Sequence, residues 1–327
     1  MKYSYSELRK LGRRNPNPAS SWGTYDPASD WSVPSRLEKE YLTIHLPEVP
    51  FRISRDAKFF AIGSCFARGI ENALRGAGMK IMSYSPNIQT WETINATVTP
   101  QGVMNKYNPG SILKEIEWSA DFDSFPRELI VDLDDTQSVD LSLNPTLRWV
   151  SSQETLSRHQ YLSGQIFSKI WEADVVFITL GLIEVWTDEL TGLPLNGTPP
   201  PLVMKRYPDR FSVKRLSISE ISKDVKAIIE TLSSANPDIK FFLTVSPVPL
   251  MRTFFTEDVI VANATSKSRL KAVVSEITET YANVVYFPSY EFVLNSPANS
   301  AWEKDRRHVR GEMTQHIMQT FVEKYID

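Results

Sequence analysis

The residues best suited to chemistry in this chain sit at two places far apart in sequence. Ser64 and Cys65 follow the apolar run Phe59-Phe60-Ala61-Ile62 and Gly63, and they precede Phe66, Ile70, Ala73, Leu74 and Ala77 at helical spacing. This pattern predicts a buried strand, a tight turn and a helix, with hydroxyl and thiol at the helix N-terminus. Free N–H groups and the positive end of the helix dipole favour a thiolate there, the attacking form of cysteine. The same N–H groups can hold an oxyanion as it develops. Near the other end, Asp305 and His308 are spaced so that both point into one site from a single turn. His308 is then the candidate general base and acid, and Asp305 the group that orients its ring.

Each of these residues has a plainer alternative. A cysteine behind a buried strand is commonly an inert small hydrophobe. Ser64 suits a helix N-cap, and Asp305 can pair with Arg306 or Arg307 on the surface. Of the other histidines, His45 and His316 are expected to be structural, whereas His159 opens a helix and is a candidate to face the site. Trp186, with Trp91, Trp118 and Trp149, offers surfaces on which a sugar ring could stack, although such residues more often fill cores. Gly63-Ser64-Cys65 lacks the glycine spacing and lysine that cradle a phosphate. Asp305, His308 and Glu184 could ligate a cation, but nothing in their spacing asks for one, and no cofactor or metal is expected.

The elements that must position these groups alternate. Buried strands are expected near 58–62, 80–83, 174–180, 240–245 and 284–287. Helical faces are read at Leu156 to Trp171, at Ile218, Ile221, Val225, Ile228 and Leu232, at Leu270, Val273, Val274 and Ile277, and at Met313, Ile317, Phe321 and Tyr325. Continuous apolar strands alternating with helices predict a three-layer α/β fold with a five-stranded parallel sheet and helices on both faces. In such a sheet a site lies beyond the carboxyl ends of the strands, where Ser64 and Cys65 fall. Residues 1–52, rich in proline and tryptophan, read as an arm on the α/β domain 53–327. Two stretches break the alternation: 84–153, with short strands near Leu129–Leu133 and Leu147–Val150, and 187–216, which reads as a long loop. Both are expected as lid-like insertions.

With 327 residues, 42% of them hydrophobic, the chain can bury a large core. A net charge of −3 and only a short basic patch at Lys304–Arg310 argue against nucleic acid as a partner. One cysteine excludes an intrachain disulfide. No apolar leader follows Met1-Lys2, and no apolar stretch reaches the length of a membrane span, so a cytoplasmic protein is expected. Nothing in the sequence fixes the oligomeric state.

Gly63-Ser64-Cys65-Phe66-Ala67 is the pentapeptide that names the GSCFA family. Tyr107-Asn108-Pro109, Thr179-Leu180-Gly181, Val245 to Val248, Ser266-Lys267 with Leu270, and Phe287 to Glu291 resemble its other blocks. GSCFA proteins in turn resemble distantly the SGNH (GDSL-like) hydrolases. That resemblance implies a flavodoxin-like sheet, a nucleophile at Cys65, with Ser64 in the place of the superfamily's Asp, and a late Asp-x-x-His at Asp305 and His308. Val309 stands where proline is usual. It also implies an oxyanion donor at Gly181. Ile183 and Glu184 replace the expected Asn and Asp, which leaves Asn108 to reach in from the insertion. The implied activity is that of an esterase or acyltransferase on O-acyl groups, such as an acetyl on a saccharide. A non-catalytic glycan- or protein-binding module on a hydrolase scaffold is the alternative.

Overall fold

The computed structural model describes residues 4, 6, 18–49 and 51–327, so the first part of the arm lies outside the described residues. Strands β1 (Lys58–Gly63), β2 (Lys80–Ile81), β5 (Val175–Leu180), β9 (Lys240–Val245) and β10 (Val284–Tyr286) form one sheet in the order β10-β9-β5-β1-β2, all parallel. This is the flavodoxin-like order. The chain runs outward from β1 to β2, then returns past β1 to β5, so the winding reverses between β1 and β5.

Alternation along each strand divides the core into two. Phe60, Ile62, Val176, Ile178, Phe241 and Leu243 pack on one face. There they meet α3 (Pro109–Ala120), α4 (Ser152–Gln165), α6 (Ile218–Ala235) and α7 (Val259–Thr280). Phe59, Ala61, Val175, Phe177 and Phe242 pack on the other, under α2 (Cys65–Gly76) and α10 (Gly311–Tyr325). Phe321 of α10 is fully buried among Phe59, Phe177, Phe242 and Phe287, with ring centroids 4.9 to 6.4 Å away. Burial of one such ring is worth about 2–3 kcal/mol. Short helices α1 (Val33–Leu37), α5 (Pro201–Arg206), α8 (Ser289–Asn295) and α9 (Ala298–Ala301) complete the set among the described residues.

The end of the arm, residues 41–48, contacts α10. Tyr41 stacks on His316, His316 Nε2 is 3.2 Å from the Leu42 carbonyl, and the Tyr325 hydroxyl donates to the Pro47 carbonyl. His45 stacks on Trp31.

The two insertions are more ordered than the sequence reading expected. Within 84–153, Asn108 caps α3, with Pro109 at its first position, a helix the sequence reading passed over. An antiparallel hairpin pairs β3 (Ile130–Asp132) with β4 (Ser138–Asp140), whereas Leu147 and Val150 make only single bridges. The stretch read as a loop at 187–216 is folded: β6 (Glu184–Asp188) pairs antiparallel with β7 (Leu193–Pro194) and β8 (Phe211–Arg215), and α5 lies between β7 and β8. Trp118, Leu129, Val131, Leu195 and Val203 give the two insertions a shared core. Among the described residues, no helix is long and apolar enough to cross a membrane.

Candidate functional site

Strand β1 ends at Gly63, whose φ of +131° places it beyond what a side chain tolerates; a Cβ there would lie 2.2 Å from the Thr179 carbonyl oxygen. This close approach aims Ser64 and Cys65 into the crevice between β1 and β5 and starts α2. Ser64 caps the helix: its Oγ accepts from Phe66 N at 3.3 Å, donates to Ser246 Oγ at 2.8 Å, and lies 3.1 Å from Thr179 Oγ1. It is nearly fully buried, while Cys65 is only half-buried.

Both residues line a cavity of about 290 Å³ beyond the strand ends. Gly181, Asn108, Glu184 and Trp186 line it too, so six of the residues singled out in the sequence meet there. Gly181 packs so tightly that a Cβ would stand 2.9 Å from the Tyr107 carbonyl and 3.3 Å from Ser64 Cβ. The Leu180 carbonyl points toward β9, accepting from Ser246 N at 2.8 Å. In a trans peptide the following N–H points the opposite way, so Gly181 N–H faces β1 and Ser64. It has no acceptor among the described residues. Asn108 is committed to structure, with Oδ1 capping α3 and Nδ2 donating to the Leu195 carbonyl at 2.8 Å; one Nδ2 hydrogen is left over. Glu184 holds an arginine: Arg215 lies 3.1 Å from Oε1, which also accepts from Thr253, and Oε2 accepts from Phe254 N. The Trp186 ring meets Phe254 edge-on, and its indole N–H is buried without a partner.

Asp305 and His308 form a pair on the loop before α10. Asp305 Oδ2 is 2.5 Å from His308 Nδ1, and Oδ1 accepts from the N–H groups of Arg307 and His308. Those backbone donors, then the ring, hold the Asp305 carboxyl well below the usual range. Arg306 turns the loop with a φ of +56°. Both side chains of the pair are about half exposed, and His308 is not among the cavity-lining residues. The neighbouring Arg307 is.

The electrostatics qualify the expectation of a ready thiolate. Burial pushes the Cys65 thiol up, and this outweighs Arg307, Lys267 and the N–H groups of Cys65 and Phe66, which pull it down. Lys267 is buried under the cavity floor. Its Nζ donates to the carbonyls of Gly181 at 2.9 Å and Val248 at 2.8 Å, and burial pushes its ammonium down to about 7. Burial raises the Tyr107 phenol to about 12, with the nearby Cys65 adding to the rise. The sequence reading passed over Lys267 and Arg307 as site residues. For Lys267 a signal existed: it falls on the apolar face of α7 marked by Leu270, Val273 and Val274.

His159 is corrected from site candidate to buried structure. It sits in the middle of α4, with Nδ1 2.6 Å from Asp140 and Nε2 3.3 Å from Glu115, which in turn pairs with Lys106 Nζ at 2.6 Å. Burial opposes its charge, but Asp140 and Glu115 overcome that and push the ring up to about 9. No cluster of three or more metal-ligating side chains occurs among the described residues.

No curated protein matches the chain significantly. Among solved structures, it is similar to a family 2 carbohydrate esterase with a carbohydrate-binding domain from Corynascus thermopiles (Myceliophthora fergusii). The identity is 13% and the TM-score 0.34, covering 84% of this chain and 68% of that one. A family two carbohydrate esterase from Clostridium thermocellum, in complex with cellohexaose, matches at 13% identity and TM-score 0.31, covering 85% and 66%. Likeness at this level says nothing about activity. The sequence match is of another kind: the model described as the GSCFA family spans residues 58–321, from the first strand of the sheet into the last helix. This chain belongs to the GSCFA family.

Proposed function

We propose that the protein is an esterase or acyltransferase for O-acyl groups, with Cys65 as nucleophile. The observation that carries this reading is the half-buried thiol on the cavity wall at the N-terminus of α2, beside a Gly181 N–H that no group among the described residues uses. Cys65 sulfur attacks the ester carbonyl, and its proton passes to His308 Nε2, which the bond from Nδ1 to Asp305 leaves free. Gly181 N–H and Cys65 N–H, at the start of α2, hold the oxyanion, since Phe66 N–H is already given to Ser64 Oγ. The alkoxide leaves with the proton from His308, and water or an acceptor hydroxyl then releases the acyl group from the thioester. In this cycle the His308 ring turns inward from its half-exposed position at the loop. Trp186 is the proposed platform for a saccharide carrying the acyl group. Ser64 is the lesser nucleophile, because its hydroxyl is engaged on several sides.

Hydrolysis of p-nitrophenyl acetate tests this directly. Cys65→Ala should abolish turnover, Ser64→Ala should retain most of it, and His308→Ala should lose about 10²–10⁴-fold. Full activity in the His308 variant would remove the proposed base. The position of His308 outside the cavity wall favours a second reading, a module that binds glycan or protein without catalysis. Glycan-array binding with no ester turned over would select it.

A further inference from the structure

The charges on the cavity wall do not balance. Arg307 and Arg252 line it, and neither forms an ion pair among the described residues. Arg307 is half-buried and its Nε is buried without a hydrogen-bond partner. A buried donor left without an acceptor is unfavourable, so an acceptor supplied by a ligand is favoured there. The acids nearby are spent. Glu184, the one carboxylate on the wall among the described residues, is occupied by Arg215, Thr253 and Phe254 N. Asp305 is engaged by the loop N–H groups and His308. Beneath the floor Lys267, which burial pushes toward its neutral form, bonds only carbonyls and offers no negative charge to offset the arginines. The Cys65 thiol is a poor counterion too, since burial pushes it toward its neutral form.

We infer that the cavity selects ligands bearing a carboxylate or phosphate, which Arg307 grips beside Cys65 while exposed Arg252 adds a second positive charge to the wall. A planar guanidinium offers donors in a fork that matches the oxygens of either group. A volume of about 290 Å³ limits the occupant to a small molecule or the end of a larger one. Resting on the esterase reading, the substrate is then an ester whose acyl or alcohol part is anionic.

Cys65 is the only cysteine, so it reports on the cavity without any turnover. Iodoacetate and iodoacetamide both alkylate it by forming an S–C bond as iodide leaves. Both need the same thiolate, so the ratio of their rates cancels the thiolate fraction and reads only the preference for the anionic reagent. That ratio should be higher in the wild type than in Arg307→Gln by about tenfold, the scale of one hydrogen bond to a charged group. It should fall in the wild type as salt approaches about 1 M, where screening shortens to about 3 Å. The salt dependence needs no variant and stands even if Arg307→Gln fails to fold. Protection of wild-type Cys65 from iodoacetamide by succinate or by inorganic phosphate tells the two anions apart. An unchanged ratio in a folded Arg307→Gln, or one indifferent to salt, overturns the inference. Anion selectivity without ester hydrolysis would sink only the enzymatic reading, and ester hydrolysis without selectivity only this one.

Discussion

Lys267 holds the carbonyl of Gly181 from inside the core, with Nζ 2.9 Å from the oxygen. The peptide that follows Gly181 is therefore fixed at both ends, because Leu182 N donates to the Tyr107 carbonyl at 2.8 Å. The peptide before it is fixed at its carbonyl alone by Ser246 N, which leaves one N–H facing Ser64 and Cys65. A buried lysine is a costly way to pin a backbone. Here it sets the shape of the cavity floor and places an amine, pushed toward neutrality by burial, near the thiol.

Lys267→Met should keep the volume but leave two carbonyls without a donor. The net loss of stability in urea should be about 1–3 kcal/mol, since relief from burying the amine offsets part of the cost. A purely structural lysine would do no more. A lysine that also supports Cys65 should, on removal, shift the pH profile of alkylation to higher pH.

Alkylation of Cys65 in the wild type should be slow near neutral pH. Burial holds the thiol above its ordinary value of 9.0, so the rate should climb about tenfold per pH unit and still be rising past pH 9. A plateau below pH 8 in an iodoacetamide titration would show that Arg307, Lys267 and the helix N–H groups win over burial.

His159 predicts a pH dependence of stability. Its folded value near 9 lies above the ordinary 6.5. Its contribution is therefore full below pH 6.5 and lost as pH rises through 9, on the order of 3 kcal/mol. Lys267 acts with the opposite sign. Its folded value near 7 lies below 10.5, so stability gains as pH rises between the two. The readout must then be the difference between wild type and His159→Gln, measured by denaturant melts. That difference should shrink from pH 6.5 to 9. A constant difference would mean that the ring is neutral in the folded protein.

Gly63→Ala should be among the most damaging single substitutions. The added methyl meets backbone at 2.2 Å in a conformation that side chains avoid. A loss of about 3 kcal/mol or more is expected, read as a fall in soluble yield or melting temperature.

The sheet and its outer helices were legible because they rest on long apolar periods. Val175 to Leu180 and Lys240 to Val245 are buried almost throughout, and the stripe from Ile221 to Leu232 faces the core as its spacing requires. The insertions were less legible because their order comes from contacts distant in sequence. The strands at 184–188 and 211–215 hold each other, and β6 alone has too short a pattern to stand out from a loop. The helix from Pro109 carried readable signals in Asn108 and Pro109 that turn-forming neighbours obscured. Around the site, spacing brought out Cys65, Asp305 and His308. Arg307 reaches the cavity from a loop that turns at Arg306 with a positive φ, and no periodicity encodes such a turn.

The bridge between Gly63 and Asn105, where Lys106 N donates to the Gly63 carbonyl at 2.7 Å, means that the long excursion after β2 is stitched to the strand that launches the reactive pair. Trimming experiments therefore have a natural limit. The exposed turn at 134–136 is expected to tolerate shortening, but a cut that removes 105–108 would leave the central ribbon unfinished on the side where Cys65 emerges. A minimal version of this protein must keep that seam.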